Sequence, residues 1–378
     1  MIKIIEVKNR KDRKEFLNFP LRMYKDNPNF VPPLYADEKK MFTKKFAYND
    51  TCESAFFLAE KDGKTAGRIS AIIQKAANEK NNERRVRFTR FDCIDNEEVA
   101  KALFGAIEEY AAKNGMDTIC GPLGYSDLER EGLLIEGFDE LSTFEEQYNA
   151  EYYGRLIEAC GYKKEVDWVE SKIFLPEEKD IENIKKMSAF VKNRYGLRLP
   201  KCKSIKEFID KYADGFFDLL DDAYKDLYGT VPFSDSMKKM LIVNFKLVID
   251  IKHVTVVLNE KDEIVCLGLC FPSIGKALQK SGGKLTVPAL LKVLKAIKKP
   301  EIVDLGLIAV RADYLNCGVT AILAEGIIDL LKQDGVEYAE TNLNLEDNHA
   351  VQNLWKRFKG ERHKRRRAYV KTLEKKSD

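Results

Sequence analysis

Apolar positions in this chain switch repeatedly between alternation and helical spacing, which predicts strands and helices in turn. IKIIEV is a strand, followed by a charged helical stretch and a proline-punctuated loop, DNPNFVPPLYAD. FFLAEKDG and KTAGRISAII are two strands that turn at Lys61-Asp62-Gly63, because Asp-Gly readily takes the positive φ a tight hairpin needs. RVRFTRFDCI is a strand and EEVAKALFGAIEEYAAKNG a helix. Val99, Leu103, Phe104, Ile107 and Ala111 lie on one face of that helix, and Gly115 suits its C-terminal cap. The strand MDTICGP, the helix YYGRLIEACGY and a strand pair at EVDWV and SKIFL complete the first half.

The second half repeats that order. VTVVLNEKDEIVCLGLCF is a hairpin turning at Lys261-Asp262, and EIVDLGLIAV is a strand. GVTAILAEGIIDLLKQDG is a helix ending at Gly335; VEYAETNLNL is a strand, HAVQNLWKRFKG a helix and RRAYVKTL a last strand. Glu60-Lys61-Asp62 aligns with Glu260-Lys261-Asp262, Gly115 with Gly335 and Gly161 with Gly360. The expected fold is α/β: two tandem copies of one unit, each a mixed twisted sheet flanked by helices. A polar helix at PEEKDIENIKKMSAFVKNRYG separates them, so the domains are expected at 1–176 and 177–378. The aromatic-rich helix before the second hairpin, with Tyr212, Phe216, Phe217, Tyr224 and Tyr228, reads as packing.

Composition narrows the class. Of 378 residues 44% are hydrophobic, ample for two cores, and 64 basic side chains nearly balance 61 acidic ones to leave a net charge of +3. No overall field draws the protein to nucleic acid or to a membrane, and neither is an expected partner. No uncharged run approaches the ~20 residues of a membrane span, which points to the cytoplasm. Eight cysteines stand singly and only three histidines occur, so buried reduced thiols are expected and no metal site.

The sharpest local signal is the joint LGLIAV-RADYLNC-GVTAILAEG. A helix start presents amide groups without intrahelical partners and partial positive charge, which suits a phosphate. Gly318 lets backbone approach a ligand, Asn316 is placed to cap the helix, and Arg311 adds positive charge. The equivalent joint of the first copy, RFDCIDNEEVAKAL, lacks glycine and carries Asp92, Asp95, Glu97 and Glu98, which repel a phosphate. One active and one structural copy follow.

This order of elements, with a strand running into a phosphate-loop helix, resembles the GNAT-type N-acetyltransferases. FPLRMYKDNPNFVPPLYAD, GPLGYSDLEREGLLIEGFDE and ETNLNLEDNHAVQNLWKRFKG extend the resemblance across the chain to a bacterial group of tandem GNAT-like proteins. The acyl-CoA-binding pattern of GNAT proteins falls on Leu315, Gly318 and Thr320, of which Gly318 alone matches. The resemblance implies a cofactor-free N-terminal copy and an acyl-CoA-binding C-terminal copy, with acetyl-CoA or another acyl-CoA as co-substrate. Direct acyl transfer to a small-molecule or peptide amine is implied, and a homodimer is compatible with it. Ile308, Ala309 and Val310 would hold the pantetheine arm; Arg311, Asn316, Cys317, Gly318, Val319 and Thr320 would surround the diphosphate, with Asn348 on the arm. Glu340 is the base candidate, because alternation places it with Asn342 and Asn344 beside the cleft, and Tyr338 and Tyr369 are acid candidates unless the thiolate leaves to water. Trp355 stands where these proteins often place the acid tyrosine.

Two rival readings remain. The basic run GERHKRRRAYVK, expected as a solvated edge, would suit an aminoacyl-tRNA-dependent transferase of the Fem type. Leu315, Thr320 and Trp355 would suit a degenerate, non-catalytic GNAT-like binding protein. In the insertion, Glu131, Glu136, Asp139, Glu140, Tyr148 and Tyr152 are candidates to line a pocket for a cationic amine.

Overall fold

The computed structural model of the protein describes residues 1–249 and 251–374. In chain order the strands are β1 (Ile2–Glu6), β2 (Cys52–Lys61), β3 (Lys64–Gln74), β4 (Arg85–Cys93), β5 (Thr118–Gly121), β6 (Leu133–Glu136), β7 (Lys163–Phe174), β8 (Val254–Leu258), β9 (Ile264–Pro272), β10 (Ile302–Val310), β11 (Tyr338–Thr341), β12 (Asn344–Leu345) and β13 (Lys359–Thr372). The helices are α1 (Arg10–Met23), α2 (Tyr35–Lys40), α3 (Lys75–Asn81), α4 (Glu97–Lys113), α5 (Tyr153–Ala159), α6 (Glu178–Arg194), α7 (Ile205–Tyr224), α8 (Asp235–Val248), α9 (Gly275–Gln279), α10 (Val287–Lys298), α11 (Thr320–Leu331) and α12 (His349–Trp355).

Both hairpins turn where alternation and the Asp residues place them, with φ of 53° at Asp62 and 64° at Asp262. Helix α4 buries Val99, Leu103, Phe104, Ile107 and Ala111, and Gly115 follows it at φ 70°. EVDWV and SKIFL are one continuous strand, β7, rather than a pair.

The chain forms two compact units that do not follow the expected division at 176/177. The first comprises residues 1–168, the insert Gly275–Leu290 and the chain from Lys364; the second comprises Val169–Ile274 and Leu291–His363. Pairing explains the difference. In the first unit the order is β1-β2-β3-β4-β5-β13, with β4 and β5 parallel and Tyr369 of β13 paired antiparallel with Gly121. In the second it is β7-β11-β10-β9-β8, with β10 and β11 parallel and Ile173 of β7 opposite Ala339. Each sheet is thus completed by the strand that ends the other half of the sequence.

Both units carry a bulge on the first strand of the parallel pair. Ile69 of β3 lies opposite an extra residue of β4 near Arg90, whose φ is 51°; on β10 the register against β9 slips at Gly306. A β-bulge bends a strand and re-aims its edge. Beyond Leu305 and Thr341 strands β10 and β11 no longer pair. Val303, Leu305 and Ala339 pack with Ile327, Ile328 and Leu331 of α11, which covers one face of the second sheet.

Candidate active site

Past the bulge, Ala309 pairs with Leu267 and the Arg311 amide donates to the Val265 carbonyl at 2.9 Å, so alternate residues of β10 bond to β9. The intervening residues, Ile308 and Val310, turn their backbone groups toward the side that β11 has left. The Ile308 groups are taken by one hydroxyl: Tyr224 Oη donates to the Ile308 carbonyl at 2.9 Å and accepts from its amide at 3.2 Å. Tyr224 ends α7, whose Phe208, Phe216 and Phe217 pack as the sequence expects, alongside Leu269 of β9. Its hydroxyl is a functional candidate that aromatic periodicity hides.

The first unit fills the corresponding edge more completely. Gln147 Nε2 donates to the Phe91 carbonyl at 3.3 Å, Tyr153 Oη accepts from the Cys93 amide at 3.0 Å, and Tyr152 Oη donates to the Cys93 carbonyl at 2.7 Å. Beneath them Arg68 and Asp92 form a buried ion pair at 2.7 Å, with Tyr24 Oη 3.2 Å from Asp92. Burial raises the Asp92 carboxyl, opposed by Arg68. The start of α4 is acidic as expected: Asn96 caps it, and Arg155 bridges Asp95 and Glu97.

In the second unit the joint after β10 differs from expectation in two respects. Arg311 is held by Asp313 at 2.8 Å and Glu263 at 3.0 Å, so its charge is already paired. Asn316 does not cap α11; Val319 occupies the N-cap position, with no side-chain cap hydrogen bond. Gly318 takes a φ of 75°, and a Cβ there would approach only Val191, at 3.4 Å. Cys317 directs its thiol to the Asp313 carbonyl, and Thr320 opens the helix.

Glu340 lies opposite Asp304 in the parallel β10–β11 register, and both are buried on the face away from α11. The His363 Nε2 stands 3.2 Å from Glu340 Oε1. A buried carboxylate beside an imidazole can hold a proton between them, a pairing suited to taking one from an ammonium. Neither Asp304 nor His363 stands out in the sequence, since Asp304 is a lone acid in an apolar strand and His363 lies in a basic run. Tyr338 sits two residues before Glu340, at the end of β11 away from the gap, with Phe174 at 5.8 Å and Lys172 over its ring at 5.6 Å. Asn348 caps α12 by accepting from the Val351 amide at 3.3 Å, and Trp355 Nε1 donates to Asn344 Oδ1 at 2.6 Å. Among the described residues no group of three His, Cys, Asp or Glu could hold a metal ion.

One further expectation is corrected. The basic run is no solvated edge: Arg366 and Lys364 are buried, Arg366 reaches the Gln147 carbonyl, and Arg367 and Arg365 converge on Asp167. Of the insertion's pocket candidates, Glu131 and Tyr148 are buried, and burial, reinforced by Asp127, pushes the Glu131 carboxyl well above its ordinary range, whereas Glu136 and Asp139 are exposed. Glu136 pairs with Arg365 at 3.2 Å.

No protein-family profile matches the sequence. The chain is 26% identical over 378 residues to protein YghO of Escherichia coli K12, covering 97% of this chain and 94% of that protein. It is also 26% identical over 385 residues to the bacterial ceramide synthase of Caulobacter vibrioides, covering 98% of each. Among solved structures, a tandem GNAT protein from the clavulanic acid biosynthesis pathway matches with a TM-score of 0.56 at 11% identity, covering 100% of both chains. The fold is that of the tandem GNAT proteins.

Proposed function

We propose that the protein is an acyl-CoA-dependent N-acyltransferase whose second unit holds the acyl donor and whose first unit holds none. The observation that carries this reading is the bulge at Gly306, which turns the Ile308–Val310 edge away from its neighbour and leads it into the glycine turn and α11. That edge fits a pantetheine arm, which pairs with backbone as a strand does, once the Tyr224 hydroxyl gives up its place on Ile308. The start of α11, with no side chain capping it and Gly318 at φ 75°, fits a diphosphate through residues 316–320. Arg311 positions that turn through Asp313 and Glu263 rather than meeting the anion unpaired. The first unit has side chains on the matching edge and acids at the matching helix start, which supports a structural role.

Bound acyl-CoA supplies an activated thioester carbonyl. Glu340, with His363 beside it, takes one proton from the acceptor ammonium; the freed amine forms a C–N bond to the carbonyl as the C–S bond breaks, and the nitrogen sheds a second proton that restores the one supplied to the thiolate. The thiolate needs a proton; the Tyr224 hydroxyl, released from Ile308 as the arm binds, is our candidate to give it, since Tyr338 lies at the end of β11 away from the gap. The likeness to a protein named a ceramide synthase, across 98% of each chain, supports a long-chain amine as the first acceptor to test.

Calorimetry of the full chain with acetyl-CoA and palmitoyl-CoA, followed by thiol release with a panel of amines, tests the reading. Binding of an acyl-CoA and amine-dependent thiol release are expected, and Glu340→Gln should lower kcat by roughly 10²- to 10⁴-fold with little change in KM for the donor. Absence of binding at millimolar donor would overturn it. Tyr224 on Ile308 favours one second reading, a binding protein whose acyl-CoA cleft is closed for good; amine-dependent turnover would dispose of that. The aminoacyl-tRNA reading loses most of its motive, since Arg365, Arg366 and Arg367 of β13 face partners within the first unit.

A further inference from the structure

We infer that α10 lays the protein on an anionic lipid surface. From Ile264 to Pro300 the chain has seven lysines and no acidic residue, an imbalance that the net charge of +3 conceals. Lys276, Lys280, Lys284, Lys292, Lys295, Lys298 and Lys299 are all exposed. Five large apolar side chains of the same stretch are exposed too: Leu285, Val287, Leu290, Leu291 and Leu294, with Val287 74% and Leu291 63% accessible.

Helical geometry sorts these residues into three sectors. Ala289 and Val293 are buried and fasten the helix to the protein. Val287, Leu290, Leu291 and Leu294 form a neighbouring stripe that faces outward. Lys292, Lys295 and Lys299 form the third sector, and Lys298 lies on the stripe itself, at its C-terminal end. An apolar stripe bordered by lysines is the pattern of a helix lying in a membrane interface, where leucines enter the acyl boundary and ammonium groups meet lipid phosphates. At 12 residues α10 is too short to span, and no helix of the described residues is long and apolar enough to cross a membrane. Charge complementarity selects the occupant: a protein partner needs a matching acidic groove, whereas Lys292, Lys295, Lys298 and Lys299, with no acid among them, match any anionic bilayer. The inference does not depend on acyl transfer, because it concerns a helix outside the β10–α11 joint and its test uses no acyl donor.

The test is co-sedimentation of the full chain with vesicles of equal parts phosphatidylglycerol and phosphatidylcholine, against vesicles of phosphatidylcholine alone. Binding to the mixed vesicles is expected, weakened by salt and much reduced on the neutral ones. Leu291→Ser with Leu294→Ser should lower the partition coefficient at least about tenfold, and Lys292→Gln with Lys295→Gln by about tenfold or more. All four side chains are exposed, so unchanged melting of the variants is expected. In a separate variant, Leu291→Trp, indole emission should shift to the blue on mixed vesicles. No sedimentation with mixed vesicles, or equal binding by wild type and the leucine variant, would overturn the inference. So would self-association in sedimentation equilibrium that the leucine variant abolishes, since it would assign the stripe to a second copy.

Discussion

Arg90 occupies a backbone conformation that side-chain-bearing residues rarely adopt, and a buried acid holds it there. Its Nε and Nη2 reach the two Glu38 carboxylate oxygens at 3.0 and 2.8 Å, and its guanidinium lies 5.6 Å from the Tyr125 ring. Burial by itself would raise the Glu38 carboxyl, but the adjoining Arg90 charge and hydrogen bonds bring it down to about 2 from an ordinary 4.5. A folded-state value below the unfolded one means stability that is fully present above pH ~4.5 and lost as pH falls toward 2. The shift corresponds to roughly 3 kcal/mol at most. Urea unfolding at pH 7 and pH 3 should therefore show a loss in the wild type that is smaller in Glu38→Gln, which has already lost the ion pair at neutral pH. An equal pH dependence in both proteins would count against this pair. The same scale shows why Arg311 is misread from sequence: spacing places a cation at the turn, but it does not reveal Asp313 and Glu263 closing on it.

At the scale of elements, the order of strands and helices is legible because alternation and helical spacing survive in both copies, and both hairpins turn at an Asp with positive φ. The bulges are not legible. RVRFTRFDC and IVDLGLIAV read as unbroken strands, and the extra residue appears only in the pairing with β3 and β9. Gly306 looks like a neutral interruption, yet a Cβ there would lie 2.5 Å from Phe271 Cε1 and 3.4 Å from the Leu269 carbonyl. Gly306→Ala should therefore displace the Phe271 ring, destabilise the protein by about 1–3 kcal/mol in urea unfolding, and weaken acyl-CoA binding as well. Stability and binding both unchanged would show that the bulge has room to spare. Tyr224 is hidden for a related reason: helical periodicity identifies it as one aromatic among several, and its hydroxyl becomes informative only once the Ile308 amide and carbonyl are seen to converge on it.

The repeat leads the sequence reader to cut the chain at 176/177, yet each unit needs chain from beyond that cut. Residues 1–176 alone lack the half of β13 that pairs with β5, and with it Arg366, Ala368 and Tyr369, all buried in the full chain. They also lack Gly275–Gly283, whose Gln279 donates to the Phe30 carbonyl at 3.1 Å and whose Gly283 accepts from the Tyr35 amide at 2.9 Å. Without these partners, the edge of β5 and the Gln147 carbonyl lose their hydrogen bonds and Asp167 keeps Lys164 but loses Arg365 and Arg367, and unpaired buried polar groups are costly. Expressed by itself, the 1–176 fragment should fail to unfold cooperatively in urea, whereas the full chain unfolds in a cooperative transition. Adding residues 275–290 and 359–378 through a flexible linker should restore that cooperativity. A 1–176 fragment that melts cooperatively and gives dispersed amide resonances would show that the missing strand contributes little, and that the units fold as the sequence repeat divides them.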